Sequence, residues 1–474
     1  MPTECKPISF AFESLGDREI VARFDGGRVS SEGGGMFLRE ADLRFGIVDR
    51  LAGCFRDFRD PELVEHSVVD LLRQRIYGLC LGYEDLNDHD ALRHDPMLAA
   101  MVGKVDPLGE ERSGRDRGKA LAGKSTLNRL ELTPVGADEG HRYKKIVANV
   151  HAMHDMLVDV YVAQQAAAPN EIVLDVDATD DPIHGDQLGK FYHGYYGNYC
   201  FLPLYLFAGD HPLLALLRPA DIDASMGLLK HLQRIVAKIR QAWPQVRIIL
   251  RGDSGFCREY IMAWCEANDV DFIFGLAKNA RLLRAIGKQM HEAKVQSEAT
   301  GEAARVFTDL TYRTQKSWSR ERRVVAKAEH LAKGANPRFV VASLSAEECD
   351  GCTLYERRYC ARGEMENRIK EQQLCLFADR TSCHELRANQ LRLLFSTVAY
   401  ALMRALREFG LCDTPLSSAR ADTIRLKLFK IGAVVRVSVR KFWVSLSESY
   451  PYQKVFARVW QNLTAWRRLE PSSA

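Results

Sequence analysis

Glu171-Ile172-Val173-Leu174-Asp175-Val176-Asp177 is the stretch that decides the fold class. It is short, rich in β-branched residues and ends on an acid, which predicts a largely buried strand that delivers a carboxylate at its end. Side chains alternate along a strand, so Asp175 and Asp177 share one face. A second run, Val246-Arg247-Ile248-Ile249-Leu250-Arg251-Gly252-Asp253, also ends on an acid.

The elements around these two runs give them a layout. The pattern predicts a strand over 172–177, strands over 201–208 and 213–218, and a helix over 226–243. It continues with a strand over 246–250, a helix over 258–268 and a strand over 271–276. Three adjacent strands followed by alternating helices and strands is the order of a ribonuclease-H-like α/β core. In that order the first strand ends beside the fourth, so Asp177 and Asp253 are expected to be neighbours.

Further along, a helix over 280–298 is followed by strands over 305–312, 322–328 and 338–343, which read as an inserted β unit. A helix over 363–377 carries Glu366, and a long helical pattern covers 385–409. Upstream, the chain is mainly helical, with a strand near Ile20, a glycine turn at Gly33-Gly34-Gly35 and a polar loop over 103–123. Helices are expected from Pro61, capped by Asp60, and over 144–162. The expected domains are an N-terminal mainly helical domain (1–168), a ribonuclease-H-like core (169–298 and 346–410), a β-rich insertion (299–345) and a basic C-terminal region (411–474).

Composition narrows the class. The 474 residues are 46% hydrophobic, enough for two or three cores, and no apolar run is long enough to cross a bilayer. The start, Met1-Pro2-Thr3-Glu4-Cys5-Lys6, lacks a charged segment followed by an apolar one, so secretion is not expected. The 12 cysteines follow no repeating frame, which fits reduced thiols in a cytoplasm. The net charge is only +4, yet Arg420 to Arg468 holds eleven Lys and Arg against two acids. Within it, alternation from Val435 to Leu446 predicts a strand with outward arginines, suited either to solvent or to a phosphate backbone.

Several motifs compete for the chemistry. Gly118-Lys119-Ala120-Leu121-Ala122-Gly123-Lys124-Ser125 matches the phosphate-binding loop Gly-x4-Gly-Lys-Ser literally. That loop follows a buried strand, whereas Glu110 to Gly118 is charged and turn-rich, so Ser125 or Thr126 is expected simply to cap a helix over 127–132. Cys349-Asp350-Gly351-Cys352 is one Cys-x2-Cys pair where zinc sites normally use two, and a turn between strands explains it. Asp175-Val176-Asp177 is also the Asp-x-Asp of sugar-nucleotide transferases, but Asp253 at a second strand end favours a two-metal site. Hard oxygen ligands converging from separate elements suit Mg²⁺. Spacing alone does not choose among Glu364, Glu366 and Glu371 for a third ligand.

The segment Tyr359-x2-Arg362-x3-Glu366 resembles the Tyr-x2-Arg-x3-Glu-x6-Lys signature of DDE transposases of bacterial insertion sequences. Asp177-Ala178-Thr179 and Asp253-Ser254-Gly255-Phe256 are similar to that family's two aspartate motifs. The resemblance runs from about Glu171 to Phe377, and it departs at the last signature position, which is Gln373. Lys370, one turn earlier on much the same face, is a substitute. His184-Gly185 and Tyr195-Tyr196-Gly197-Asn198-Tyr199 are further family-like stretches, with no role assigned to His184 beyond a turn near the site.

The resemblance implies Asp177, Asp253 and Glu366 as catalytic ligands of two Mg²⁺ or Mn²⁺ ions, in cut-and-paste transposition of an insertion sequence. It implies phosphate contacts from Tyr359, Arg362 and Lys370, double-stranded DNA as partner, both terminal inverted repeats and target, DNA-end binding by residues 1–168, catalysis by the core, and a place near the bacterial nucleoid. A homodimer in the synaptic complex follows from the need to join two ends. In the β insertion, Trp318 among Lys316, Arg320, Arg322 and Arg323 is expected to stack on an unpaired base or, alternatively, to fill a small core. The rival functions are a metal-dependent nuclease that does not join and an inactive DNA-binding relic.

Overall fold

The computed structural model describes residues 8–467. The amino-terminal stretch Met1–Lys6 and the end of the basic region from residue 468 lie outside the described residues. The chain divides into two compact units, one formed by residues 1–52, 57–146 and 405–474, the other by residues 53–56 and 147–404.

The second unit is built on a nine-stranded mixed sheet. Its main strands are β1 (Glu171–Ala178), β2 (Leu204–Ala208), β3 (His211–Leu216), β4 (Arg247–Gly252), β5 (Asp271–Leu276), β6 (Ala304–Tyr312), β7 (Arg322–Leu331) and β8 (Arg338–Ala342). They lie in the order β3-β2-β1-β4-β5-β8-β7-β6, and the short strand Gly334–Ala335 pairs with β7. β1, β4 and β5 are parallel neighbours, while the remaining pairings are antiparallel. The strands expected over 299–345 therefore do not form a separate layer: β8 pairs directly with β5 and carries the same sheet onward.

Alternation assigns the sheet's two faces. Ile172, Leu174 and Val176 of β1 join Ile248 and Leu250 of β4 in the larger core. Over that core pack α1 (Val150–Gln164) and α2 (Leu228–Ala242), and α3 (Glu259–Ala267) contributes Ile261, Met262 and Cys265. The buried stripe of α2, Leu228, Leu232, Ile235, Val236 and Ile239, recurs at helical spacing. Each such side chain contributes about 1.5–3 kcal/mol by leaving water. Val173, Ile249 and Ile273 face the other way, toward Leu354, Tyr355 and Tyr359. Asp175, Asp177 and Arg251 share this second face by the same alternation.

The Tyr355 segment belongs to an irregular helical run. A wide turn over Leu354–Tyr359 and a tight one over Cys360–Arg362 lead into α4 (Gly363–Leu376), which stops where Phe377 adopts a left-handed φ of 63°. The helix expected over 280–298 is broken at Ile286 into Ala280–Ala285 and Gly287–Thr300.

The first unit has helices Met36–Phe45, Ile47–Ala52, Val68–Leu81, Pro96–Val102, Lys124–Leu132 and Gln453–Arg467. The helix expected from Pro61 begins later. Asp60 caps only the single turn Pro61–Leu63, whereas Ser67 and Asp70 form a reciprocal capping box that starts Val68–Leu81. In the second unit, Asn149 similarly starts α1 five residues after the expected Lys144. The helix after the glycine-lysine-serine motif starts at Lys124, not Leu127; Gly123 is its cap and no side chain caps it.

The predicted strand over 435–446 is a hairpin, Ala433–Val437 with Phe442–Leu446, because Ser438 and Lys441 close a turn. This hairpin pairs with Arg28–Ser30, some four hundred residues upstream, and the glycine turn is fastened to the same region. Gly33 N donates to Ile431 O at 2.9 Å and Gly34 N to Phe429 O at 3.1 Å. A Cβ on Gly34 would sit 1.7 Å from Leu428 O, so only glycine allows the two backbones this close.

Candidate active site

The parallel register of β1 and β4 positions the two aspartates. Pairing runs from Glu171 with Arg247 to Val176 with Gly252, and its continuation sets Asp253 beside Asp177. Asp177 Oδ1 accepts from Ala178 N at 2.9 Å and Asp253 Oδ1 from Gly255 N at 2.8 Å, so the strand-end backbone orients both carboxylates. Glu366 stands in the first turn of α4, and Arg362 joins it to the strands. Arg362 Nη1 lies 3.3 Å from Asp177 Oδ2 and Nη2 lies 3.1 Å from Glu366 Oε1. All four side chains line one cavity of 570 Å³.

The three candidate glutamates are thereby separated. Glu364 pairs with Arg368 at 3.1 Å, Glu371 is buried at 8% exposure, and Glu366 faces the cavity. Asp175 belongs to the sheet and not to the cavity. It is 3% exposed and takes a bidentate contact from Arg251, Nε to Oδ1 at 2.5 Å and Nη2 to Oδ2 at 2.7 Å.

Burial pushes the Asp177 carboxyl up to about 7; Arg362 opposes this, and the charges of Asp253 and Glu366 add to it. Desolvated carboxylates that repel one another favour a cation between them. Among the described residues no three His, Cys, Asp or Glu side chains are grouped closely enough to hold a metal ion, and the Arg362 guanidinium spans two of the acids. The donors still suit a divalent ion in kind: three hard carboxylates on one cavity, with their mutual repulsion only partly met by Arg362.

Tyr359 supports Arg362. It lies in the field of that guanidinium and packs on Tyr355 with ring centroids 5.7 Å apart. Its hydroxyl crosses β5 at Gly275, where a Cβ would lie 2.5 Å away. Lys370 and Gln373 both line the cavity, and Gln373 Nε2 donates to Asp180 O at 3.2 Å. His184 sits in an exposed loop and does not line the cavity; His193, Tyr195 and Tyr196 do.

Trp318 is not available for stacking. It is 6% exposed, set edge-on to Tyr312 at 5.7 Å, with the Arg322 guanidinium 5.5 Å from its ring. Arg322 is itself buried and satisfied by Glu259 and Glu266 of α3. Arg323 contacts Asp309 at 2.5 Å and the carbonyls of Leu344 and Ser345, which leaves Lys316 and Arg320, the latter 3.4 Å from Glu266, as the exposed cations of this group. The tryptophan fills the core because β6 and β7 extend the main sheet and are covered by helices. Exposed aromatics occur elsewhere, with Tyr195 on the cavity wall at 86% exposure and Trp443 beneath Lys441 in the C-terminal hairpin. Tyr195 stands in a tyrosine-rich turn that the sequence displayed, but strand pattern alone did not say which tyrosines face outward.

Cys349 is buried and Cys352 exposed, and Asp350 between them caps the turn Gly351–Thr353. All eleven described cysteines are free. Among the described residues, no helix is long and apolar enough to cross a membrane.

Residues 12–468 match the family described as transposase DDE domain group 1. The chain belongs to this transposase family. No curated protein matches this transposase. Among solved structures, it is similar to the cryo-EM structure of a piggyBac transposase synaptic complex with hairpin DNA, at 12% identity and a TM-score of 0.39. That similarity covers 92% of this chain and 82% of the other.

Proposed function

We propose that this transposase cuts and joins DNA strands with one carboxylate triad, Asp177, Asp253 and Glu366, on a ribonuclease-H-like core. The observation that carries the reading is the β1–β4 register, which runs two acids to adjacent strand ends while Arg362 draws Glu366 to Asp177. Asp177, Asp253 and Glu366 would hold two Mg²⁺ or Mn²⁺ ions, which would supply charge neutralisation and activation of the oxygen nucleophile for displacement at phosphorus.

The chain's own residues do the rest. Asp177 and Asp253 are held rigid by backbone N–H groups at the strand ends. Arg362 neutralises the acids in the free protein, and its fork matches the oxygens of an entering phosphate. Lys370 on the cavity wall takes the phosphate contact that Gln373 cannot make. Tyr195, exposed on the same wall, is placed to stack on a base near the scissile bond.

The element's terminal inverted repeats and target DNA are the proposed substrates. End recognition falls to the first unit, where the basic hairpin with Trp443 adds phosphate contacts. Joining two ends calls for a homodimer, and the setting is a bacterial insertion sequence acting in the cytoplasm.

The test is strand transfer with pre-cleaved ends. Joining establishes the proposal, cutting without joining indicates a nuclease, and binding alone an inactive relic. Gly275→Ala supplies a finer check: the new methyl would meet the Tyr359 hydroxyl at 2.5 Å and the Ser254 backbone N at 3.0 Å, so it crowds both the support of Arg362 and the turn that follows Asp253. Single-turnover cleavage is expected to slow between about tenfold and a hundredfold with an unchanged melting curve. A wild-type rate would remove Tyr359 from the positioning of the site.

A further inference from the structure

We propose that the first unit carries a dimerisation surface, the apolar face of its amino-terminal hairpin, which closes on the same face of a second copy of this chain. The inference rests on the homodimer proposed above and gives it a surface. The hairpin joins strand Ser9–Leu15 to strand Arg18–Arg23 through a two-residue turn in which Gly16 takes a φ of 60°. The two strands form a sheet of their own, paired with no other strand among the described residues, and every residue in them is exposed. A lone two-stranded hairpin is marginal in water and gains stability only when one face is covered.

The register sorts the side chains into two unlike faces. Phe10 lies opposite Ala22 and Phe12 opposite Ile20, while Ser9 lies opposite Arg23 and Ala11 opposite Val21. Alternation adds Ile8 and Phe24 to the first face, and the Phe10 and Phe24 rings meet there edge-on with centroids 5.8 Å apart. Glu19 and Arg23 fall on the second face, with Val21 between them. The first face thus turns three phenylalanines and two isoleucines to solvent: Ile8 is 75% exposed, Phe10 44%, Phe12 62%, Ile20 43% and Phe24 92%.

Area and charge choose the occupant. At about 150–250 Å² for a fully uncovered side chain of this size, those exposures come to roughly 600 Å² per copy. Two such faces closing on each other bury about 1,200 Å², the lower edge of the roughly 1,200–2,000 Å² of specific, stable interfaces. A monomer seldom leaves so much apolar surface in one patch. The centre of the face holds no charge, so a DNA backbone gains nothing there, whereas an identical face answers it ring for ring across a two-fold axis. Four strands in two layers with an apolar filling then replace two bare strands.

The full chain, without DNA or divalent metal, is followed by sedimentation velocity over a concentration series, and a dimer is expected. Phe12→Ser removes a ring from both sides of a symmetric contact, so the dissociation constant is expected to rise at least about a hundredfold. Val21→Ser makes a like change on the opposite face and is expected to leave the dimer as it was. A photoreactive benzoylphenylalanine at position 12 keeps an aromatic ring there and reads the face even if Phe12→Ser melts the hairpin. In a mixture of isotopically heavy and light chains it is expected to cross-link to residues 8–24 of the other copy. The surface is overturned if both serine variants dissociate the dimer equally, if neither does, or if position 12 cross-links to its own chain, to an added DNA duplex or elsewhere on the other copy. A wild type that pairs only after transposon ends are added also overturns the surface but keeps the homodimer. One that stays monomeric with ends bound removes both.

Discussion

Asp177→Ala protein is expected to bind transposon ends and cut none of them. Asp177 is the acid that the other groups of the site converge on: Arg362 reaches it, Asp253 follows it across the β1–β4 register, and Glu366 shares its guanidinium. Removing one of three carboxylates takes away charge needed only while phosphorus is being displaced, so single-turnover cleavage and joining should both fall by at least about a thousandfold. Affinity for the ends should hold, since phosphate contacts elsewhere supply it. The melting temperature should stay level or rise, because Asp177 is a desolvated acid set against two others. Cleavage by this variant at the wild-type rate would end the assignment.

Asp175→Ala, two residues away on the same face, should do something quite different. Asp175 and Arg251 form a buried bidentate pair, and Arg251 also donates to the Arg358 carbonyl beside the irregular helical run. Without the aspartate a guanidinium is left charged inside the sheet, a loss of about 3–5 kcal/mol in urea unfolding. Replacing both partners with apolar residues of similar volume should recover much of it. If Asp175→Ala instead melted like the wild type and lost only divalent-ion affinity, Asp175 would be a ligand and the Asp-x-Asp reading would return.

These two neighbours show where sequence was enough and where it was not. Alternation placed both on one face, and the acid-terminated strand patterns placed Asp177 near Asp253. Glu366 needed the family signature, because three nearby glutamates have equal claims in a helical pattern until Arg368 is seen to take Glu364 and the core to cover Glu371. Trp318 shows the opposite case. A tryptophan among arginines looks alike in a sequence whether the cations meet solvent or meet Glu259 and Glu266 from a helix sixty residues earlier. The support Tyr359 draws from Gly275 was equally hidden, since a glycine in a strand does not announce what passes over it. Element starts shifted wherever a stronger cap lay downstream, as Ser67 did to Asp60.

The pairing of Arg28–Ser30 with Ala433–Val437, and the glycine turn fastened to Phe429 and Ile431, bear on the order in which the protein is made. The second unit is nearly continuous and has all its strands once synthesis passes residue 342. The first unit is split in two by it, and its small sheet lacks two of its three strands until residues 433–446 have left the ribosome. Since domains generally fold as units during synthesis, the carboxylate-bearing core can form on a nascent chain whose other unit is still incomplete. A ribosome that stops early would release the cutting chemistry without the part proposed to choose where it acts.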